Sequence, residues 1–149
     1  MTLSKNTTLS LVAFYFISLA AHAKTKECAQ LALGGSYSCK MEGMSIRLEV
    51  TQDANNFSFK AITPEGNANT SYVADETRRG FTEAGRIDEY VGSCADQTLV
   101  IEQFLKNSSL TTGFEKYTKT KTGVKYQKVE MNSSGQVVDD LTLNCNGCS

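Results

Sequence analysis

The sequence has 149 residues, of which 40% are hydrophobic and 21% are charged, and its formal net charge at pH 7 is −1. This length fits one domain, and the charge gives no global reason to expect nucleic acid or an anionic membrane as a partner. The single histidine, His22, lies within residues 1–23, which we predict below to be a cleaved signal peptide. A mature chain without histidine cannot run Ser-His-Asp or Cys-His catalysis or hold a metal through imidazole, so we expect no enzyme and no cofactor.

Residues 1–23 have the pattern of a cleaved secretory signal peptide. One positive charge precedes the apolar run Leu9 to Ala21, and Ala21-His22-Ala23 forms an A-x-A cleavage site. No later stretch reaches the ~20 apolar residues that a spanning helix needs. We therefore predict a secreted or periplasmic protein without a membrane span, with a single β-barrel domain over residues 24–149.

The mature chain opens with a short helical segment and a hairpin. Residues 24–33 carry Ala and Leu at helical spacing, which predicts a helix of one or two turns. A first strand follows over Gly35 to Cys39, and Lys40 to Gly43 form a turn. Residues 44–51 then alternate apolar and polar side chains without a break, which is typical of a half-buried strand. We expect later strands to extend this hairpin.

The later strands recur at intervals near ten residues, separated by polar turns. Phe57 to Ala61 form a third strand and Thr70 to Ala74 a fourth, while Asp75 to Gly85 form a loop or a short edge strand. The remaining predicted strands are residues 87–94, 98–105, 110–119, 124–131 and 136–145. Short strands at this spacing predict an all-β fold, a single antiparallel meander barrel or sandwich of about eight to nine strands.

Hairpins joined by short turns also predict a register for the last four strands. If each hairpin pairs symmetrically about its turn, one apolar row crosses the sheet. The predicted pairs are Ile101–Phe114, Phe114–Val129, Val129–Val138, Tyr117–Tyr126 and Lys128–Asp139. Breaks in the alternation near residues 126–129 and 139–140 indicate bulges that bend the sheet.

The segment Leu33-Gly34-Gly35-Ser36-Tyr37-Ser38-Cys39 resembles the opening strand of lipocalin-like β-barrels, with Tyr37 where that family has tryptophan. Ile87-Asp88-Glu89-Tyr90 is loosely similar to the mid-chain Thr-Asp-Tyr segment of the family. The family's arginine near the end of the barrel and its C-terminal helix are missing. The resemblance implies an antiparallel barrel of the same general shape.

All five cysteines lie beyond the leader: Cys28, Cys39, Cys94, Cys145 and Cys148. Export favours oxidation, so we expect two disulfides and one free thiol, in a pairing that the sequence leaves open. Cys39, Cys94 and Cys145 fall at strand ends on one rim, which makes bridges among them plausible. The C-x-x-C at Cys145 and Cys148 has no helix after it to lower a thiol pKa, so structural bridging is preferred over redox or metal chemistry.

The interior of such a barrel is the first place to expect a ligand. We predict that a small apolar or amphipathic molecule is lined by Ile46, Leu48, Phe57, Phe59, Ile101 and Phe114. The alternative is a filled barrel without a ligand, which acts through its surface as an envelope-structural or protein-interaction domain. The sequence leaves the ligand, the oligomeric state and the source open.

A basic hairpin offers a second candidate site. Its lysines are Lys116, Lys119, Lys121, Lys125 and Lys128. They are a possible anion-binding surface for polysaccharide, a lipid headgroup or nucleic acid. The other interpretation, which we prefer, is that lysines on an exposed hairpin prevent edge-to-edge pairing with other sheets.

Overall fold

The structure, a computed structural model, describes residues 28–81 and 88–148. Residues 28–31 are helical and the rest of the described chain is built from ten strands. The strands are β1 (Gly35–Met41), β2 (Met44–Asp53), β3 (Asn56–Thr63), β4 (Gly66–Val73), β5 (Arg78–Gly80), β6 (Asp88–Ala95), β7 (Thr98–Leu105), β8 (Thr111–Lys119), β9 (Gly123–Met131) and β10 (Val137–Gly147). The predicted signal peptide and the start of the predicted helix lie outside the described residues.

All ten strands form one antiparallel sheet that curls into a half-barrel, in the order β4-β3-β2-β1-β10-β9-β8-β7-β6-β5. Strands that follow each other in sequence are neighbours in the sheet, with one break between β4 and β5. The first and last strands also pair, with Cys39 opposite Cys145. The sheet is therefore a meander whose seam lies between the edge strands β4 and β5.

The two sides of the seam meet near the end of β4. The Val73 N–H donates to the Tyr90 hydroxyl over 3.0 Å, and the Glu76 N–H donates to the Gly92 carbonyl over 2.9 Å. A Cβ at Gly92 would lie only 2.6 Å from the Val73 carbonyl oxygen. Glycine is thus required where β6 approaches the end of β4.

The N-terminal segment fills one end of the half-barrel, which we call the helix end. Leu33 is fully buried there. Gln52, near the end of β2, donates from Nε2 to the Cys28 carbonyl over 2.7 Å. Its Oε1 accepts from the Leu33 N–H, also over 2.7 Å. We call the opposite end, where the β1–β2 and β3–β4 turns lie, the far end.

Two disulfides, Cys28–Cys94 and Cys39–Cys145, leave Cys148 as an exposed free thiol. The expected number of bridges is confirmed. Cys39 and Cys145 bridge because they lie directly opposite each other across β1 and β10. Cys94 pairs with the helical segment rather than with another strand. Two bridges of this kind fit an oxidising extracellular or periplasmic environment.

The strand count of ten corrects the expected eight to nine. Arg78–Gly80, in the stretch expected to be a loop or a short edge strand, pairs with β6 as a separate edge strand. The fourth strand begins at Gly66 rather than at Thr70, because it pairs with β3 over its full length. Within the described ranges, no helix has the length and hydrophobicity needed to cross a membrane.

The predicted register is confirmed in part. The Phe114–Val129 and Tyr117–Tyr126 pairs are present. The other three predictions are wrong, and the observed pairs are Ile101–Glu115, Val129–Asp140 and Lys128–Leu141. Register shifts between Gln103 and Phe104 and between Val137 and Asp139 break the symmetry on which the prediction relied. The β8–β9 pair runs through residues 126–129 without a shift.

Candidate ligand-binding cavity

Alternation in the curled sheet sends every second side chain inward, and toward the far end these side chains leave a space between them. This apolar cavity has a volume of about 280 Å³. It is lined by Cys39, Met41, Ile46, Leu48, Phe59, Ala61, Ala68, Asn69, Thr70, Tyr72, Glu115, Tyr117, Tyr126, Leu141, Leu143 and Cys145. Its volume is near the lower end of the roughly 300–1,000 Å³ typical of small-molecule pockets.

The apolar wall comes from two groups of neighbouring strands. Ile46 and Leu48 of β2 and Phe59 of β3 form one side, and Leu141 and Leu143 of β10 lie on the other. The Cys39–Cys145 bridge joins these two sides where β1 meets β10. A wall of this composition favours apolar ligand surface, at roughly 25 cal/mol for each Å² removed from water.

The cavity reaches the seam at the edge of β4. Ala68 and Thr70 face inward, opposite Ala61 and Phe59 of β3. Asn69 belongs to the outer face by alternation, yet it also lines the cavity. Because β4 has no strand beyond it in the sheet, no further strand closes the cavity wall along this edge.

A polar cluster of Glu115, Tyr72, Tyr117 and Gln103 lies at the base of the cavity. Glu115 Oε2 accepts from the Tyr117 hydroxyl over 2.8 Å and from the Tyr72 hydroxyl over 3.1 Å. Its Oε1 accepts from Gln103 Nε2 over 3.0 Å. Glu115 and Gln103 are each only 7% exposed. Three hydrogen bonds therefore offset the cost of burying this carboxylate.

The tyrosines of the cavity remain hydrogen-bond donors. Burial raises the pKa of Tyr72 and of Tyr117, and the nearby negative charge of Glu115 raises both further. The pKa of Tyr126 is raised by the same two causes in the same order. Since ionisation of these hydroxyls is suppressed, all three stay neutral through the physiological pH range.

Aromatic rings hold the cluster in place. Phe59 and Tyr117 stack with ring centroids 4.1 Å apart and an interplanar angle of 22°. Tyr117 also packs on Tyr126, with centroids 4.9 Å apart. These contacts fix the orientation of the Tyr117 hydroxyl toward Glu115.

On its other side, the cluster borders a polar cavity of about 300 Å³. This polar cavity is lined by Asp88, Gln103, Thr112, Glu115, Lys128, Glu130, Met131 and Val138. Lys128 Nζ lies 2.5 Å from Glu130 Oε1, so its charge is already paired. Glu115 thus stands between an apolar space and a polar one.

Three of the six predicted lining residues border the apolar cavity: Ile46, Leu48 and Phe59. Phe57 and Ile101 are 1% and 0% exposed and belong to the solid core instead. Phe114 does not line the cavity, which corrects its predicted place. It is half-buried on the outer face, with Lys116 Nζ 4.7 Å from its ring centroid. The one-residue register error explains this, since the inward residue opposite Ile101 is Glu115.

The predicted basic hairpin is not one surface. Lys116 lies on the outer face, whereas Lys119 donates to the Tyr37 hydroxyl over 3.2 Å at the helix end. Lys128 lines the polar cavity, and Lys121 and Lys125 are exposed. The structure therefore distributes these lysines over both faces of β8 and β9. An anion-binding role for them stays a prediction.

Sequence analysis did not find Tyr72, Glu115 or Tyr126 as site residues. One signal was available: Tyr117 faces Tyr126 across the predicted hairpin, and Glu115 shares a face with Tyr117 by alternation. We placed Phe114 inward instead, because symmetric pairing about the turn set it opposite Ile101, whereas the structure pairs Ile101 with Glu115. Packing of the whole barrel, rather than local pattern, decides which face turns inward.

The curled antiparallel sheet and its internal cavity define the class of protein, a small β-barrel-like protein with room for a ligand. A scan against protein-family models finds no match, and a search of curated proteins finds none either. Among solved structures, the chain is similar to a REP1-NXSQ fatty acid transporter, with a TM-score of 0.56 and 12% identity. The match covers 78% of this chain and 96% of that chain. At this identity the likeness shows the fold alone.

Proposed function

We propose that this protein is a non-catalytic binding module that holds a small apolar or amphipathic molecule in the apolar cavity. The observation that carries the proposal is the cavity itself, an apolar space of about 280 Å³ with a hydrogen-bonded polar cluster at its base. An apolar body with one polar end matches this arrangement. The named function of the structural neighbour, fatty acid transport, supports a ligand with an apolar chain.

The proposed site of action is outside the cytoplasm, either secreted or periplasmic. The Cys28–Cys94 and Cys39–Cys145 bridges support this location, as does the predicted signal peptide. In a setting of this kind, a cavity protein carries or sequesters a poorly soluble molecule.

Binding of a fluorescent apolar dye, whose emission rises in an apolar environment, tests the proposal. The wild type should bind the dye with saturation, and Ala61→Phe should weaken binding about tenfold or more because the new ring fills space that the ligand needs. Ile62→Phe is the matched control, since the neighbouring side chain belongs to the outer face, where Ile62 borders a different hollow. Circular dichroism of both variants verifies the fold.

Equal dye binding by Ala61→Phe and the wild type would contradict the proposal. Absence of saturable binding to any apolar probe would do the same and would favour the alternative, a filled domain acting through its surface. Leu105, Val137 and Val138 are the large exposed apolar side chains from which such an alternative would start.

A further inference from the structure

Charge of only one sign lines the apolar cavity among the described residues. Glu115 is its acidic member, and neither lysine nor arginine is among the described residues that line it. The nearest opposing charge in register is Lys128, which lies across from Glu115 on β9. Its Nζ is paired with Glu130 in the polar cavity. A ligand head group at the base of the apolar cavity therefore faces a carboxylate, and none of the described residues that line this cavity supplies a cation.

The remaining hydrogen-bonding capacity of Glu115 is also defined by the structure. A carboxylate has about four acceptor sites, two on each oxygen. On Oε2 both are used, by Tyr72 and Tyr117. On Oε1 one is used, by Gln103. The Tyr126 hydroxyl also interacts with Glu115, so at most one acceptor site on Oε1 is left for a further donor.

The groups around Glu115 also favour a ligand head group that donates a hydrogen bond over one that carries a negative charge. The hydroxyls of Tyr72 and Tyr117 already point at Glu115, so they are engaged as donors toward it. A second carboxylate placed here would meet like charge in a low-dielectric site, which is strongly unfavourable.

We propose that Glu115 selects the ligand's head group, so that the cavity binds an apolar chain ending in a hydrogen-bond donor, an amine or an alcohol, in preference to a fatty carboxylate. This inference rests on the proposed function and narrows it. It separates this chain from the named ligand class of its structural neighbour. Of these head groups, a protonated amine should bind most tightly, because its hydrogen bond to Glu115 is charge-assisted.

Isothermal titration with dodecylamine, dodecanol and dodecanoate tests the head group at constant chain length. For the wild type at neutral pH, we expect the amine to bind about tenfold or more tightly than the carboxylate, with the alcohol between them. Glu115→Gln should remove most of the amine's advantage and strengthen carboxylate binding, while alcohol affinity changes least. Glu102→Gln is the control, since it removes the same charge from the exposed face of the adjacent strand β7.

The outcomes separate the two proposals. If none of the three probes binds the wild type, the binding function itself fails. If dodecanoate binds as tightly as dodecylamine, or if Glu115→Gln leaves the order of affinities unchanged, the function stands and the head-group inference is overturned. Should Glu115→Gln fold poorly, titration of the folded wild type with the three probes still decides the matter.

Discussion

The helix end and the far end of the half-barrel are built from the same strands but have different interiors. At the helix end, Leu33, Phe57 and Leu99 are between 0% and 1% exposed and form a solid core. Toward the far end, Ile46 and Leu141 border a cavity. The difference comes from the N-terminal segment, which adds apolar side chains at one end only. One end is therefore solidly packed, and the other keeps the cavity in which we propose that a ligand binds.

Among the effects predicted for these regions, loss of the Cys28–Cys94 bridge should be the largest, because this bridge ties the helical segment to β6 at the helix end. Replacing both cysteines with alanine should lower the free energy of unfolding by about 4 kcal/mol, since the bridge closes a long loop; its cysteines are 66 positions apart. Urea denaturation without reductant measures this. Cys148→Ser, at the exposed free thiol, should stay within about 0.5 kcal/mol of wild type. A double mutant as stable as this control would refute the role given to the bridge.

Replacing a leucine with alanine should lower the free energy of unfolding by different amounts at the two ends. Leu33→Ala removes a side chain that is 0% exposed in the solid core, and it should cost about 3 kcal/mol. Leu48→Ala removes a side chain that already borders the cavity, so fewer contacts are lost and about 1–2 kcal/mol is expected. Both values come from chemical denaturation. Equal losses would mean that the far end is packed as tightly as the helix end.

The seam depends on glycine where β6 approaches the end of β4. Gly92→Ala would place its Cβ 2.6 Å from the Val73 carbonyl oxygen, and the resulting strain should cost about 2 kcal/mol. Gly80→Ala is the control, because a Cβ there meets nothing within 4 Å. Thermal unfolding of the two variants gives the comparison. Equal unfolding temperatures for the two variants would mean that the two sides of the seam do not approach each other this closely.

The smallest effect is expected at the side-chain hydrogen bond across the seam. Tyr90→Phe removes the acceptor of the Val73 N–H, a bond of 3.0 Å, and should cost about 1 kcal/mol. Hydrogen exchange at the Val73 amide should become faster. The Ala74 amide, which donates to the Asn55 carbonyl over 2.8 Å, should keep its protection. Unchanged exchange at Val73 would contradict the bond.

Much of the fold follows from local pattern. Unbroken alternation over residues 44–51 predicts both the strand and its inward face, and so it correctly assigns Ile46 and Leu48 to the interior. Short polar turns predict the hairpins, and export predicts two bridges. These features depend on neighbouring residues or on composition, which the sequence displays directly.

The parts that could not be predicted depend on distant contacts. Phe57 and Ile101 do face inward, but whether an inward side chain meets a cavity or a core depends on where the N-terminal segment packs. Phe114 was misplaced because a bulge after Gln103 changes the pairing of β7 with β8. Glu115 was overlooked because a glutamate on a strand is usually solvated, and its partners Tyr72 and Gln103 come from other strands.

Native mass spectrometry of the mature protein, purified from its own host, tests the central claim that the far end is a ligand-binding cavity. We expect a folded species with two disulfides and an added small-molecule mass, and unfolding should release that molecule. Supplying an apolar probe to delipidated protein should restore an adduct. A folded protein that carries no passenger and takes up no apolar probe would contradict the account.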